Sequence, residues 1–308
     1  LEEDTQDIDD VVVVAYGSQK KATLTGSVAA IGNSELIQTR NTNTENMLTG
    51  KIAGLRVVQR NAEPGNFDTN INIRHFGDPL IVIDGVPRDN LARIDANDIE
   101  SISVIKDASA AVYGVRASDG VIIVTTKKGY EGRMQLSYSG NLNLSTSSGM
   151  PRSLDALQYM TMTNEGTMRN IDNPTRTFDD AAFEAYRDGS KTSTDWYKAA
   201  IRDITPSQQH TVSATGGNDK VDYFMSIGYM NQEGFYKSGD LTYEKFTVRS
   251  NISAEVVKGL RVGMNIWGSI DDKKQPWDNP YRIILAVCRQ RPIHPLHPTD
   301  TPHSPPTT

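Results

Sequence analysis

One cysteine, Cys288, stands among 308 residues, which excludes an intrachain disulfide and leaves no thiol pair for a zinc or redox site. Long hydrophobic runs are missing too. No stretch of about 18 apolar residues occurs, so no helix is long and apolar enough to cross a bilayer. That absence says nothing of strands, because a transmembrane strand buries only alternate residues. Basic charge is scarce and dispersed: Lys+Arg number 32 against 38 Asp+Glu, with short pairs only at Lys20-Lys21 and Lys127-Lys128. Nucleic acid is therefore not an expected partner. There is no P-loop, dinucleotide fingerprint or nucleophile elbow. Of the five histidines, His75 and His210 stand apart, while His294, His297 and His303 fall in a Pro-rich end without acidic partners and read as loop, not as a metal site. No Ser/His/Asp set can be assembled, so neither enzyme activity nor a cofactor is expected. The acidic start Glu2-Glu3-Asp4 is not a signal peptide, implying a removed leader or a cytosolic chain.

What the chain does have is a change of pattern near Gly129. Before it, residues 18–130 read as a compact α+β unit of short elements punctuated by glycine. A one-turn helix is expected near 44–49 and strands at 55–59, 69–74 and 80–83, the last stopping at the turn dipeptide Asp84-Gly85. The Ile/Val alternation from Asp98 to Ile105 predicts a further strand. Asp107 is placed to cap a short Ala-rich helix that Gly114 ends, and Gly120 opens a strand apolar on both faces.

After Gly129 the strands lengthen and alternate strictly. Phe246, Val248, Ser250, Ile252, Ala254 and Val256 make one mostly apolar face, opposed by Lys245, Thr247, Arg249, Asn251, Ser253 and Glu255. Three other segments repeat the pattern, around Leu136–Leu144, Val221–Tyr229 and Leu260–Ile270. Alternation alone fits a soluble β-sandwich as well as a membrane barrel. Connection lengths separate the two. Tight turns at Gly217-Asn218-Asp219 and Lys258-Gly259 alternate with long connections over about 147–207, partly helical, and 233–240. An up-and-down barrel has this arrangement, with short turns at one rim and long loops at the other. About five strands are legible. Five cannot close, and an open edge in lipid leaves backbone groups unsatisfied at several kcal/mol each, so the rest of the barrel is expected outside these residues.

The segment Asp10, Val11, Val12, Val13, Val14, Ala15 is short, β-branched and preceded by an acidic leader. It can be read as the first buried strand of the α+β unit or as a strand that adds to the sheet edge of a partner.

Taken in order, five stretches carry a resemblance: 10–17 (DVVVVAYG), 50–55 (GKIAGL), 78–87 (DPLIVIDGVP), 98–114 (DIESISVIKDASAAVYG) and 120–129 (GVIIVTTKKG). Together they resemble the plug of SusC/RagA-type TonB-dependent transporters, and 194–197 (TDWY) and 228–234 (GYMNQEG) are similar to the start of that family's barrel. The resemblance implies an α+β plug domain followed by antiparallel transmembrane β-barrel strands, about five of an expected 22. Its divisions are a leader with a TonB box at 1–17, a plug at 18–130 and the first part of the barrel at 131–308. Asp10 to Ala15 would be the TonB box, gripped by the TonB C-terminal domain through strand addition. Asp84, Gly85, Lys106, Asp107, Tyr113, Gly114 and Gly120 fall on the plug motifs.

Further implied are the outer membrane of a Gram-negative bacterium, contact with its lipid, a SusD-like surface lipoprotein, and import of an oligosaccharide or peptide without chemistry on it. Arg74 and Arg116 are candidates for a lock between plug and barrel, and Phe67, His75, Phe76 and Arg88 for substrate contact. Two departures stand out: only His75-Phe76-Gly77 separates Arg74 from Asp78, and the extension found before the TonB box in many relatives is not seen. The rival reading is a secreted β-rich ligand-binding module or adhesin. In a transporter the Phe246–Val256 apolar face points outward, whereas in a sandwich it enters a shared core.

Overall fold

The computed structural model describes residues 11–14, 17–20, 28–74, 77–106, 108–147 and 153–296. A small antiparallel hairpin, β1 (Val11–Val14) with β2 (Gly17–Lys20), comes first. Then follow β3 (Val28–Gly32), the single turn α1 (Asn33–Leu36), and the antiparallel pair β4 (Leu55–Gln59) and β5 (Thr69–Ile73). Strands β6 (Leu80–Ile83), β7 (Val86–Arg88), β8 (Ile99–Ile105) and β9 (Val121–Thr126) complete a five-stranded sheet in the order β3-β8-β9-β6-β7. Only the β6/β9 pair is parallel among the registered pairs.

This sheet is buried on both sides, as the continuous apolar runs in β6 and β9 require. Ile81, Ile102, Val104, Ile122 and Val124 pack with Leu36, Met47, Leu48 and Ile52 on one face. Leu80, Val82, Ile105, Val121 and Ile123 pack with Ala110 and Ala117 on the other. The expected Ala-rich helix is a 3₁₀ segment, Ala108–Tyr113, and Gly114 follows it at φ 87°.

Five long strands form a second, separate antiparallel sheet in sequence order: β10 (Gly132–Thr146), β11 (Ile204–Gly217), β12 (Val221–Glu233), β13 (Thr242–Val257) and β14 (Leu260–Lys274). Asn218 builds the β11–β12 turn, its Oδ1 accepting from the Lys220 and Val221 amides at 2.9 and 2.8 Å. Gly259, at φ 83°, allows the β13–β14 turn.

Contacts divide the chain into two units, the first made of the α+β body and most of these strands. The second comprises 144–206, 233–242 and the segment from 274 on. It contains α2 (Ala156–Met168), α3 (Asp180–Arg187), α4 (Trp196–Ala200) and α5 (Pro280–Arg289), each begun by a capping Asp or Asn. Ile201, Tyr236 and Leu241 form its core, with Ile283 and Ile284 of α5 packed against them.

The faces of β13 decide between the two readings of the alternating strands. Lys245, Thr247, Arg249 and Asn251 are 3–6% exposed, whereas Phe246 and Val248 are 50% and 52% exposed. The polar face is covered and the apolar face is bare, the reverse of a soluble sandwich. Leu136, Tyr138, Leu142 and Leu144 on β10 and Val262, Met264, Ile266 and Ile270 on β14 are bare likewise. A contiguous apolar surface of this extent marks contact with lipid or another protein.

Candidate functional site

The α+β body is what covers the polar face of β13, and the contact is built from charged and amide groups. Asp84 and Gly85 both have positive φ, 48° and 84°, the backbone that a two-residue hairpin turn between β6 and β7 requires. That turn sets the Asp84 carboxylate beside the end of the neighbouring parallel strand, where it accepts from the Thr126 amide at 2.9 Å and the Thr126 hydroxyl at 2.6 Å. Asp95 caps a 3₁₀ turn, Ala96–Asp98, accepting from the Asn97 amide at 2.9 Å. Asp98 therefore sits at the mouth of β8, next to the strand wall.

Arg249 reaches both carboxylates, with Nε 3.3 Å from Asp98 Oδ2 and Nη1 3.7 Å from Asp84 Oδ2. Both Arg249 and Asp98 are 3% exposed, so this pair is screened little by water. Asn251 Nδ2 donates to Thr126 Oγ1 at 2.9 Å and to the Lys127 carbonyl at 2.7 Å. On β11 the Thr211 hydroxyl donates to Asp95 Oδ2 at 2.5 Å. Gly228 on β12 permits this approach, because a Cβ there would stand 2.5 Å from Thr247 Oγ1 and 3.2 Å from Asp95 Oδ2. Burial, then the neighbouring Asp95, push the Asp98 carboxyl up to about 6, against the pull of the Ser226 hydroxyl and Arg249. Asp98 Oδ1 and Asn251 Oδ1 have no hydrogen-bond partner among the described residues.

A second contact involves the loop between β4 and β5. Phe67 lies edge-on to Tyr243, ring centroids 5.5 Å apart, with Lys245 Nζ 5.7 Å from the Phe67 centroid. The Gly65 amide donates to Gln232 Oε1 at 3.1 Å, and Lys273 pairs with Glu63 at 3.0 Å. Gly65 is required twice over. Its φ is 66°, and a Cβ would stand 2.4 Å from Tyr243 Cδ2.

The residues singled out from the sequence disperse over this geometry. Val11–Val14 form β1, while Asp10, Ala15, His75, Phe76 and Asp107 lie outside the described residues. Lys106 Nζ donates to the Ala53 carbonyl, and burial, then Arg74, hold its ammonium below the usual lysine range. Tyr113 packs against the Val121 side of the core. Gly120, at φ 98°, has no room for a Cβ, which would stand 2.9 Å from the Ile105 carbonyl oxygen. Arg74, at φ 54°, donates its amide to the Gly54 carbonyl, and Arg116 is exposed in the 3₁₀ turn Val115–Ala117. At Arg249 the arginine stands on the strand wall and the carboxylates on the body, whereas Arg93 of the body has its Nε 3.8 Å from Asp271 Oδ2 on β14, so ion pairs of both polarities cross the contact. Phe67 is engaged by Tyr243, and Arg88 lines a cavity against β14. Sequence reading placed Arg249 and Asn251 on the polar face of β13 but had no signal for their partners, since 151 and 125 positions separate Arg249 from Asp98 and Asn251 from Thr126.

Comparison with known proteins agrees with this arrangement. Residues 20–121 match the TonB-dependent Receptor Plug Domain family. The chain is 33% identical to the TonB-dependent receptor SusC of Bacteroides thetaiotaomicron, covering 98% of this chain and 30% of that protein. It is 32% identical to the TonB-dependent receptor P26 of Formosa agariphila, covering 93% and 29% respectively. The chain thus spans about a third of the length of the curated relatives it matches. Among solved structures, the RagAB peptide importer in its open-open state superposes with a TM-score of 0.73 at 25% identity, over 86% of this chain and 32% of that one. The unliganded ferric citrate transporter FecA shares the fold, with a TM-score of 0.53 at 11% identity over 82% of this chain and 32% of that one. With a plug sheet seated on the polar face of five outward-apolar strands, the chain belongs to the SusC/RagA type of TonB-dependent receptors.

Proposed function

We propose that the protein of which this chain is part imports an oligosaccharide or peptide across the outer membrane, with residues 18–130 as the plug that closes its barrel. The observation that carries this reading is the joint of Arg249 with Asp84 and Asp98, which holds the plug to the wall by groups that can part and re-form. A body meant to stay in place has no need of buried charge, since a well-packed apolar contact is as stable or more so. The TonB C-terminal domain takes Asp10 to Ala15 by strand addition. In support, β1 is paired only with β2 among the described strands and so has a second edge for a partner. A SusD-like surface lipoprotein presents the substrate, and the bare apolar faces of β10 to β14 meet outer-membrane lipid.

The test uses the full-length protein in its own cells. Growth on oligosaccharides or peptides as sole carbon source is expected to depend on the protein and on the proton-motive force. Val12→Pro removes a donor from the added strand and is expected to abolish that growth while leaving the protein in the membrane. Unchanged growth of the variant would count against the coupling role of 10–15.

A further inference from the structure

Two hydrogen-bond acceptors are sealed into the contact between plug and wall without a donor. Asp98 Oδ1 and Asn251 Oδ1 are both buried, and neither has a partner among the described residues. Residues of this chain alone enclose them, so further strands of a wider barrel add nothing to their surroundings. Turning the Asn251 carboxamide over does not help. Its Nδ2 already donates to Thr126 Oγ1 and to the Lys127 carbonyl, and the Thr126 hydroxyl is itself spent on Asp84 Oδ2, so a turned amide would set its oxygen against two acceptors. The two orphans belong to neighbouring groups. Asn251 is the next inward side chain on β13 after Arg249, whose Nε is 3.3 Å from Asp98 Oδ2. Lys127, whose carbonyl Asn251 holds, donates its amide to the Asp98 carbonyl at 2.8 Å. A buried acceptor left unpaired is costly, and a single added hydrogen would serve both.

We propose that the seated plug holds a proton between Asp98 Oδ1 and Asn251 Oδ1, the carboxyl donating to the carboxamide across the contact, so that acid tightens the plug against its wall. The carboxylate takes this proton from solvent as the plug seats and returns it as the plug parts, while the carboxamide stays neutral throughout. Arg249 is not left alone when Asp98 is neutral, because it keeps Asp84, 3.7 Å from its Nη1. The groups facing Asp98 pull in both directions. Asp95 on its own turn opposes its charge, whereas Arg249 and Lys245 of β13 and Lys127 after β9 favour it, and Ser226 of β12 hydrogen-bonds it. Burial, joined by Asp95, prevails and pushes the carboxyl up to about 6. The proton concerns how the plug is held and is independent of what the protein imports.

The experiment records infrared difference spectra between pH 5 and pH 8 on the full-length protein in its membrane, with ¹³C in the aspartate side-chain carboxyls. Ordinary aspartates titrate near about 3.9 and stay charged over this interval. A protonated-carboxyl band is expected at pH 5, gone at pH 8 and missing from Asp98→Asn. That variant carries its donor at every pH and is expected to slow protease attack on the plug at pH 7.5 by at least about tenfold. Asn251→Leu removes the acceptor and is expected to move the carboxyl band to higher wavenumber. A ¹³C label in the asparagine carboxamides reads the same bond with residue 251 in place, and one carbonyl band is expected to shift with the midpoint of the Asp98 band. No Asp98 band at pH 5, the result if a buried water supplies the hydrogens, overturns the proton, as does faster protease attack on Asp98→Asn. An asparagine band that does not titrate, or a carboxyl band that Asn251→Leu leaves in place, overturns the pairing. The import reading fails separately, through unchanged growth of Val12→Pro, whatever the spectra show.

Discussion

At Asp98 the joint between plug and wall carries a pH dependence whose sign runs against intuition. Although Arg249 favours the charged carboxylate, burial and Asp95 outweigh it, and the docked group titrates near 6, above its ordinary 3.8. Docking therefore gains stability from the bound proton, fully below about pH 4, and loses it as pH rises through about 6. The difference is on the order of 2–3 kcal/mol for a shift of this size. Resistance of the plug to protease in the full-length protein is expected to rise between pH 7 and pH 5, and Asp98→Asn is expected to flatten that profile. Arg249→Met leaves two buried carboxylates without their cation and is expected to weaken docking by about 3–5 kcal/mol. The urea concentration that exposes the plug to protease would read this loss, and the Asp98 titration should move to higher pH in the same variant. Nothing in the sequence around Asp98 predicts such behaviour, because its partner lies on a strand far along the chain.

Among the elements, those set by local chemistry were legible. The strands read at 55–59, 80–83 and 121–126 stand where β-branched runs and the Asp84-Gly85 turn put them. The alternation of tight and long connections was legible too, since Asn218 and Gly259 act within a few residues. What local pattern could not give was docking. Phe67 in the β4–β5 loop reads as a candidate for substrate contact, yet Glu63, Gly65 and Phe67 are fastened to three different strands. Likewise the alternation of β13 marks out a polar face without saying what covers it, and its burial follows only from the plug. Gly65→Ala combines a left-handed φ with a clash at Tyr243 and is expected to lift the loop at a cost of about 1–3 kcal/mol. Hydrogen exchange of amides 61–68 should quicken in that variant, and exchange at the unsubstituted rate would show that the loop docks by other means.

For the whole molecule the outward faces are decisive. Val248, half exposed, stands on the opposite face of β13 from the joint. Val248→Arg is expected to destabilise the lipid-inserted protein by about 2–4 kcal/mol if the residue lies at the bilayer midplane. Refolding of the full-length protein into vesicles against urea measures this; a midpoint unchanged by the arginine would place that face away from hydrocarbon. The covalent connection between plug and wall has a consequence of its own. Strand β9 ends at Thr126 and β10 begins at Gly132, so five residues link them, and Gly129 passes so near the Tyr223 amide that a Cβ would stand 2.1 Å from it. Five residues reach at most roughly 17 Å. A plug torn from Arg249 is thus a captive on a short leash, held at millimolar effective concentration or higher before its own socket. If the plug leaves its socket as proposed, its return is a local, first-order event whose rate should be indifferent to the concentration of the protein.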